Sequence, residues 1–414
     1  MMQPAESNPF SHSSPLEQTN LPDKSSQPAF WTELEASLGK RREAGLHRQA
    51  VVSVLIGPTT LERDGKRAVH FGANDYLGLA WHPDVRRAIL DAATGCDRFG
   101  SGASPLVTGH SPSHDRLVQT IAAFEATERA IVFSSGYAAN VGTVAALVSN
   151  KDVLFSDSLN HASLIDGCRL SRAETHIYPH CDFESLRELV KEYRHRGRHA
   201  FVLSDSVFSM DGDTAPLREI HTLCHEFDMQ CILDEAHATG VYGQLGRGLV
   251  EHLGLSRERI VSIGTLSKAI GCVGGFVAGS SILIDWLTNH ARSWIYSTAA
   301  PLPTVTAACK AISLVQGMQK ERQVLAQKGE LLRASLRELG LEVGEGSSPI
   351  VPIYVRDDKR TTELSRRLLE AGIYIPAIRS PTVPANSSLL RISLSVLHSD
   401  EEIERCVNAI RRFI

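Results

Sequence analysis

Residues 231–237 read Cys-Ile-Leu-Asp-Glu-Ala-His, and this stretch decides the fold. Three apolar residues are followed at once by two acids and a histidine. An apolar run of this kind is typical of a strand buried on both faces. A charge that enters a low-dielectric interior needs a partner or a function, and a structural ion pair explains this stretch alone equally well. The stretch predicts a buried strand that carries Asp234 and His237 to its carboxyl end.

Short apolar runs like this one recur on both sides of it and alternate with helical segments. They lie at residues 130–133, 153–155, 201–203, 260–263 and 275–278. Alternation of strands and helices predicts a parallel sheet covered by helices, in the α/β class. Ligands of such sheets bind beyond the carboxyl ends of the strands, so the polar residues that follow each run are the candidate site.

The remainder of the chain predicts a second, smaller unit and an N-terminal extension. Residues 1–28 are rich in Ser, Pro, Gln and Asn and are expected to form a disordered leader. A helix is expected at 31–48, and residues 304–340 are expected to be strongly helical and to end at Gly340. Strands are expected at 350–355, 373–378 and 390–396, with a helix at 361–371, and Ser399 and Glu402 form a capping box for a last helix. The predicted organisation is a leader (1–28), an N-terminal helix and arm (29–72), a large domain (73–300) and a small α+β domain (301–414).

Composition excludes several classes of protein. The 414 residues carry 43 Lys and Arg against 47 Asp and Glu, a formal net charge of −4. This balance argues against a nucleic-acid or membrane-surface partner. Eight cysteines without a CxxC pair favour reduced thiols and a cytoplasmic location. His221, Cys224 and His225 have metal-like spacing, but Cys224 belongs to the apolar face of its helix, so no metal site is predicted.

Two further turns carry chemistry beside the acidic one. Residues 134–140 read Ser-Ser-Gly-Tyr-Ala-Ala-Asn after an apolar run and precede a helix, where backbone N–H groups can hold a phosphate. An ordinary tight turn explains them more simply. Residues 264–268 read Gly-Thr-Leu-Ser-Lys, and Lys268 suits either a Schiff-base amine or a phosphate-binding or surface lysine.

Together the three turns fit one cofactor, pyridoxal phosphate (PLP). PLP chemistry needs an amine that forms the imine, a carboxylate that keeps the ring nitrogen protonated, and donors for the phosphate. Lys268 follows Asp234 by 34 residues, and the phosphate turn precedes both.

Over residues 31–414 the chain resembles the α-oxoamine synthase family of fold-type I PLP enzymes. The resemblance rests on ordered motifs at 74–79 (NDYLGL), 100–102 (GSG), 157–163 (DSLNHAS), 208–213 (FSMDGD), 234–237 (DEAH), 265–268 (TLSK) and 390–393 (LRIS). It implies a large domain with a mostly parallel seven-stranded sheet, a small C-terminal α+β domain and a homodimer with shared active sites.

The resemblance also implies a role for each matching residue. Lys268 corresponds to the Schiff-base lysine, Asp234 to the partner of the pyridinium nitrogen and His161 to the ring stacked on the cofactor; these three are the expected catalytic residues. The other expected cofactor contacts are Gly136, Tyr137, Ser209, His237, Thr265 and the pair Ser297 and Thr298, which reaches the phosphate across the dimer interface.

The expected substrate contacts are Arg391, which clamps the amino-acid carboxylate with help from Asn74, together with His161. The loop at 377–384 resembles that of the 8-amino-7-oxononanoate synthase branch, in which Thr382 matches a substrate contact. Arg48, or His47 in a register shifted by one residue, matches that branch's N-terminal substrate arginine. This branch implies condensation of L-alanine with a pimeloyl thioester of CoA or a carrier protein, in biotin synthesis.

Other functions remain compatible with the motifs. Another α-oxoamine synthase, such as a glycine C-acetyltransferase, would share most of them, and an aminotransferase-type PLP enzyme would share the fold. A non-catalytic subunit that keeps the fold as a scaffold is disfavoured by the presence of Lys268, Asp234, His161 and Arg391.

Overall fold

The computed structural model describes residues 28–95 and 99–413. It divides into two units, one that ends at Val51 and one that begins at Val52. The predicted leader lies outside the described residues except for Pro28. The domain boundaries predicted at residues 72/73 and 300/301 stay predictions.

The described part of the first unit contains one helix, α1 (Ala29–Glu43). No residue of this helix is buried. The helix is shorter than the expected span of 31–48. Gly45 follows it with a φ of 68°, a left-handed conformation that ends the helix. Arg48 lies in this unit, beyond the helix.

The second unit contains fourteen strands in its described residues. They are β1 (Ser53–Leu55), β2 (Thr60–Arg63), β3 (Lys66–His70), β4 (Arg129–Phe133), β5 (Val153–Asp157), β6 (Glu174–Tyr178), β7 (Ala200–Asp205), β8 (Gln230–Asp234), β9 (Ile260–Thr265), β10 (Gly275–Gly279), β11 (Ile350–Tyr354), β12 (Ile373–Tyr374), β13 (Ala377–Ile378) and β14 (Leu389–Ser393).

The helices of the second unit connect and flank these strands. They are α2 (Pro83–Thr94), α3 (Pro112–Glu125), α4 (Gly136–Leu147), α5 (Ala162–Ser171), α6 (Phe183–Tyr193), α7 (Leu217–Glu226), α8 (Leu249–His252), α9 (Ser281–His290), α10 (Arg292–Ile295), α11 (Leu302–Val315), α12 (Gln319–Glu338), α13 (Asp358–Glu370) and α14 (Asp400–Phe413).

A seven-stranded sheet forms the centre of the second unit, in the order β4-β10-β9-β8-β7-β5-β6. Strand β10 runs antiparallel to both of its neighbours, and the pairs from β9 to β6 are parallel. The prediction of a mostly parallel sheet of seven strands is confirmed.

Burial on both faces explains why these runs form strands. In β5, Val153 and Phe155 pack into one hydrophobic cluster, whereas Leu154 between them packs into another. Successive side chains of a strand point to opposite faces, so a strand covered on both sides needs an unbroken apolar run. The sequence analysis did not predict edge strand β6. Four of its five residues are not buried, so its sequence contains no continuous apolar run.

Two smaller sheets accompany the large one, in the orders β1-β2-β3-β12 and β11-β14-β13. The expectation of one strand at 373–378 was wrong. Residues 373 and 374 pair with β3, whereas 377 and 378 pair with β14. Pro376 lies between them, and a residue without a backbone N–H cannot continue a ladder as a donor.

The helical stretch expected at 304–340 is confirmed, and the structure divides it into two helices. Helix α11 ends at Val315, and α12 begins at Gln319. Gly317 lies in the break, and glycine costs about 1 kcal/mol relative to alanine inside a helix. The capping box at the last helix is confirmed, since Ser399 N donates to Glu402 Oε2 (2.9 Å) and Glu402 N donates to Ser399 Oγ (3.2 Å).

Among the described residues, no helix is both long enough and apolar enough to cross a membrane.

Candidate active site

The candidate site lies where parallel strands of the large sheet end. Asp157, Asp205, Asp234 and Thr265 are the last residues of β5, β7, β8 and β9. All four are buried, and Asp205 and Asp234 are register partners on adjacent strands. The sheet therefore concentrates acidic and hydroxyl groups at one edge, as the sequence predicted for a ligand site.

The turn after β4 presents the N-terminus of α4 to this edge. Ser135 caps the helix, because its Oγ accepts a hydrogen bond from Ala138 N (3.0 Å). Gly275 allows β10 to pass close beneath, since a Cβ atom there would lie 2.5 Å from the oxygen of Ser135 and 2.7 Å from Gly136 N. Gly136 and Tyr137 open the helix, so their backbone N–H groups belong to the turn that is expected to hold a phosphate.

Asp234 is held rigidly by two donors. Its Oδ1 accepts from Ala236 N (2.7 Å), and its Oδ2 accepts from the amide of Asn140 (2.5 Å). The carboxylate is 7% exposed. Each carboxylate oxygen can accept more than one hydrogen bond, so Asp234 retains capacity for a protonated ring nitrogen.

Asn140 links this carboxylate to His161. The same amide nitrogen also donates to Ser163 Oγ (2.8 Å), and Ser163 Oγ lies 2.6 Å from His161 Nδ1. The His161 ring is itself exposed. Its contacts through Ser163 fix the direction of the ring and leave its other surface available to a stacked ligand.

His237 is fully enclosed beside Tyr76. Its Nδ1 lies 2.7 Å from the Tyr76 hydroxyl, which lies 3.2 Å from Asn74 Oδ1. Burial lowers the pKa of His237 well below its ordinary value, and the positive charges of Lys268 and Arg391 lower it further. His237 is therefore neutral at neutral pH, and one ring nitrogen can donate to an oxygen atom.

Lys268 follows β9 and is half-buried close to this group. Burial lowers the pKa of its ammonium group, whereas the charges of Asp234 and Asp205 raise it and that of Arg391 lowers it. The net shift is downward. A lysine with a lowered pKa provides more of the neutral amine that attacks a carbonyl carbon.

Arg391 projects from β14 and is held by neutral acceptors. Its Nε donates to Ser209 O (2.6 Å), and its Nη1 donates to Ser393 Oγ (2.6 Å) and Asn74 Oδ1 (3.2 Å). The side chain is 7% exposed. Since these contacts contain no carboxylate, the guanidinium is oriented but its charge is available to a substrate carboxylate. The structure thus brings Arg391 and Asn74 together, as expected.

Of the remaining expected contacts, Thr265 lies in the turn before Lys268, and Ser209 and Thr382 share a cavity. Thr265 Oγ1 donates to Gly274 O (2.9 Å) and accepts from Ser267 N (3.2 Å), which shapes the turn that leads to Lys268. Ser209 and Thr382 line one cavity of about 380 Å³, whose walls include Leu159 and Phe208.

Ser297 and Thr298 line a different cavity of about 340 Å³ that also contains Ser134. Ser297 Oγ donates to Ser293 O (2.7 Å). Tyr137 lies edge-on to His161 with ring centroids 6.4 Å apart, and its hydroxyl donates to Asp166. The roles of these residues stay predictions, as does that of Arg48.

The sequence analysis missed four residues of this network. They are Asn140, Ser163, Asp205 and Tyr76. Asp205 comes after the apolar run at 201–203 with Ser204 between them, whereas Asp234 follows the run at 231–233 directly, so the signal that identified Asp234 was present in a weaker form for Asp205. Asn140 and Ser163 had no such signal, because only the packing of α4 against α5 brings them together.

His180 joins two loops behind this network. Its Nδ1 lies 3.0 Å from Asp157 Oδ1, and its Nε2 lies 2.9 Å from Asp213 Oδ2. Burial opposes the positive charge, but the hydrogen bonds to both carboxylates outweigh burial and raise the pKa of His180 to about 12. Cys181 completes a group whose possible ligand atoms lie within 4.8 Å of one another, but both nitrogens of His180 already contact acids.

Replacement of His180 by asparagine is expected to destabilise the fold by about 3 kcal/mol, because it leaves two carboxylates without their charge partner. The folded-state pKa lies above the unfolded value, so the contribution is complete below about pH 6.5 and declines as the pH rises toward 12. Urea unfolding between pH 6.5 and 9 tests this.

The matched control is His221→Asn, since His221 is half-buried and contacts a neutral acceptor, Ser256 O (3.1 Å). It is expected to change stability by less than about 0.5 kcal/mol. A difference between wild type and His180→Asn that stays constant or widens with rising pH would contradict a charged His180.

The comparisons with known proteins agree with this geometry. The family model for aminotransferase class I and II matches residues 66–410. The 8-amino-7-oxononanoate synthase 2 of Bacillus subtilis is 42% identical over 375 residues, 90% of this chain and 94% of that protein.

The chain belongs to the class I and II aminotransferase family, among the α-oxoamine synthases. Solved structures of this family share its fold. The serine palmitoyltransferase of Sphingomonas wittichii superposes with a TM-score of 0.87 at 30% identity, over 93% of this chain and 97% of that one. A variant of the serine palmitoyltransferase of S. paucimobilis, solved with a bound PLP–myriocin aldimine, superposes with a TM-score of 0.87 at 28% identity. The match covers 94% of this chain and 98% of that one.

The cofactor of this α-oxoamine synthase is PLP, and the residues present fit it. The site offers a lysine with a lowered pKa, a buried carboxylate with spare acceptor capacity, a neutral histidine and a capped helix N-terminus. These are the four groups that the amine, ring-nitrogen, ring-oxygen and phosphate contacts of PLP require. The fold is that of the fold-type I PLP transferases, as predicted.

Proposed function

We propose that this enzyme condenses L-alanine with a pimeloyl thioester to give 8-amino-7-oxononanoate. A bond forms between the alanine Cα and the acyl carbonyl carbon, the C–S bond breaks and the thiol leaves. The carboxylate leaves as CO2, and a proton returns to Cα. The observation that carries the proposal is that Lys268, whose pKa is lowered, experiences the charges of both Asp234 and Arg391, while neutral acceptors hold the Arg391 guanidinium in a fixed direction.

PLP, when bound, supplies a carbonyl carbon that joins to an amine and a ring that accepts an electron pair. The residues of this chain supply the binding contacts and the proton transfers. Asp234, braced by Asn140, would hold the proton on the ring nitrogen. His237 would donate to the ring oxygen, and His161 would stack against the ring.

Arg391 and Lys268 act on the amino acid. The free part of the Arg391 guanidinium binds the substrate carboxylate, and its contacts with Ser209 and Asn74 set the direction of that bond. Lys268 removes the proton from Cα and later returns one. General acid–base catalysis by a positioned side chain contributes about 10²–10⁴-fold.

The acyl donor is assigned from the relatives and from one cavity. Curated relatives that are named 8-amino-7-oxononanoate synthase share 37–42% identity with this chain. Ser209 and Thr382 line a cavity whose walls are mixed, with Leu159, Phe208 and Val383 beside the charged residues Asp211, Glu342 and Arg356. The apolar side chains of this cavity are proposed to contact the methylene chain of a pimeloyl group, and Arg48 is proposed as a further contact for the donor.

The test compares kcat/KM for pimeloyl-, acetyl-, succinyl- and palmitoyl-CoA, each with alanine, glycine and serine. We expect pimeloyl-CoA with alanine to be the preferred pair, with one CO2 and one thiol released per product. A preference for glycine with acetyl-CoA, or for serine with palmitoyl-CoA, would overturn the substrate assignment and keep the family. Pyruvate without CO2 would indicate an aminotransferase.

Replacement of Arg391 by lysine is expected to raise the KM for alanine by about 100-fold, because lysine keeps the charge and loses the bidentate geometry. The KM for the thioester is expected to change less than about threefold, because Arg391 is proposed to contact the amino acid and not the acyl donor. Steady-state kinetics with each substrate varied in turn measure both.

Arg333→Lys is the matched control, since Arg333 is equally buried and its Nη2 donates to Ser348 O (2.6 Å) and Ile350 O (2.7 Å), away from the cluster. It is expected to lower stability without changing the KM for alanine. Equal increases of both KM values in Arg391→Lys would contradict a carboxylate clamp.

The assembly proposed for the enzyme is a homodimer with shared active sites. Support comes from the family resemblance, in which the pair that matches Ser297 and Thr298 reaches the phosphate across the dimer interface; these two residues line a cavity with Ser134 of the expected phosphate turn. Light scattering of the purified protein tests the assembly, and a monomer with full activity would overturn it.

A further inference from the structure

The loop at residues 208–213 supplies the carbonyl group that orients Arg391. Ser209 O accepts a hydrogen bond from Arg391 Nε (2.6 Å), so the position of this oxygen sets the direction of the guanidinium group. A backbone hydrogen bond from Phe208 N to Asp213 O (3.0 Å) closes the loop on itself. A contact that fixes one residue of this small closed loop therefore also constrains Arg391.

Tyr354 makes a second contact between the small sheet and this loop. Its hydroxyl donates to Asp211 Oδ1 (2.6 Å), and the proposed chemistry uses neither side chain. A hydrogen bond to a carboxylate is stronger than one between two neutral groups. The bond therefore ties Asp211, two residues from Ser209, firmly to the strand β11 that carries Tyr354.

Tyr354 and Arg391 project from the same face of the small sheet. In the antiparallel pairing of β11 with β14, Pro352 is the register partner of Arg391 and Tyr354 is that of Leu389. Directly opposed residues of an antiparallel pair share a face, as do residues two positions apart along one strand. The two side chains therefore reach the loop from one face of the sheet and bind it at two points.

Gly212 brings the backbone of the loop close to β11. It has a φ of 70°, and a Cβ atom there would lie 2.5 Å from Ile350 O. A residue with a side chain would hold the loop farther from the strand. At the end of the loop, Asp213 Oδ2 lies 2.9 Å from His180 Nε2. The loop is thus held on the side of the large sheet and on the side of the small one.

We propose that Tyr354 is a positioning residue for recognition of the amino acid. Through Asp211 it fixes the loop whose Ser209 carbonyl directs Arg391 toward the substrate carboxylate. This inference rests on the proposed role of Arg391 as the carboxylate clamp. It predicts that loss of the Tyr354 hydroxyl weakens binding of the amino acid, and that it does so only while Arg391 is present.

Tyr354 and Asp211 also line the cavity proposed for the acyl chain. A residue that acted only as a wall of that cavity would change the KM for the thioester and leave the binding of alanine unchanged. The two roles therefore predict opposite patterns, and a separate measurement for each substrate distinguishes them.

The experiment measures the dissociation constant of alanine from the PLP-loaded enzyme, without thioester, by the change in visible absorption during titration. Tyr354→Phe removes the hydroxyl and keeps the ring. We expect the Kd for alanine to rise about tenfold, as for loss of a hydrogen bond to a charged group, and the KM for pimeloyl-CoA to change less than about twofold. Asp211→Ala is expected to give the same increase. Asp211→Asn keeps the acceptor oxygen and is expected to stay within about twofold of wild type.

A double-mutant cycle with Arg391→Lys separates positioning of the clamp from a general loss of structure. Two residues that act through one another have effects that do not add. When residue 391 is already lysine, Tyr354→Phe is therefore expected to raise the Kd for alanine by less than about twofold.

Tyr374→Phe is the matched control. The Tyr374 hydroxyl accepts from Arg63 Nη1 (2.7 Å), and Tyr374 lies on β12, in the other small sheet. The guanidinium carbon of Arg63 lies 4.7 Å from the centroid of the Tyr374 ring, and that of Arg356 lies 4.7 Å from the centroid of the Tyr354 ring. The control is expected to leave the Kd for alanine unchanged.

An unchanged Kd for alanine in Tyr354→Phe would overturn the proposal. It would also be overturned by an increase that is equal with and without Arg391, or by an effect confined to the KM for the thioester. Failure of the proposed function looks different, because wild-type enzyme would then respond to glycine or serine in place of alanine. The same variants then test Tyr354 with that amino acid.

Discussion

Lys268→Ala is expected to lose about 10⁴-fold in kcat, because it removes both the amine that joins the cofactor and the base that takes the Cα proton. The variant is expected to fold, since the described contacts of the Lys268 turn are made by its neighbours. Thr265 and Ser267 both donate to Gly274 O. Residual PLP is expected to bind without a covalent link.

Borohydride reduction followed by peptide mapping measures this directly. Wild type is expected to carry the reduced cofactor on Lys268, and the variant on no lysine. Lys328→Ala is a matched control, because Lys328 is a partly buried lysine that donates to Val396 O (3.0 Å) outside the cluster. A label on another lysine in wild type, or a Lys268→Ala variant within tenfold of wild-type turnover, would remove Lys268 from its proposed role.

Asp234→Asn is expected to lower kcat by about 10²–10³-fold, the usual effect of removing one preorganised charge partner. The asparagine is nearly isosteric and can still accept from Ala236 N, so the architecture of the turn is retained. What is lost is the charge that holds the proton on the ring nitrogen. The KM for alanine is expected to change less than about tenfold, because Arg391 binds the carboxylate independently.

Steady-state and single-turnover kinetics separate these effects. Asp152→Asn is the control for loss of a buried acid, since Asp152 is 2% exposed and precedes β5, where it accepts from His199 N (3.1 Å). If Asp234→Asn kept turnover near that of wild type, the ring-nitrogen contact would have to belong to another residue. If only the KM for alanine rose, Asp234 would act in substrate binding.

The site residues that the sequence predicted are those that follow apolar runs. Asp234, His237 and Lys268 were found because each follows an apolar run that could only be a buried strand. Asp205 carried a weaker form of this signal and was passed over, because Ser204 separates it from the run at 201–203. Edge strand β6 had no pattern to find, because its environment is exposed on one side.

Contacts between distant segments could not be predicted from local patterns, and the expectation that Asn74 assists Arg391 came from the family resemblance alone. Arg391 and Asn74 are separated by 317 positions and meet through one hydrogen bond, and Tyr76 and His237 by 161. No local pattern predicts either pair. Both depend on how β14 and the segment after β3 pack onto the large sheet.

By itself, the sequence determined the α/β class and the strands of the central sheet other than β6, and it predicted the turns that bind the cofactor. It could do so because these features depend on local apolar runs and on residues at their ends. Only the tertiary structure decided that Asn140 braces Asp234, that His180 bridges Asp157 and Asp213, and that Asp205 lies beside Asp234. The physical reason is that the energies of these charges depend on burial and on neighbours from other strands, which exist only once the sheet has formed.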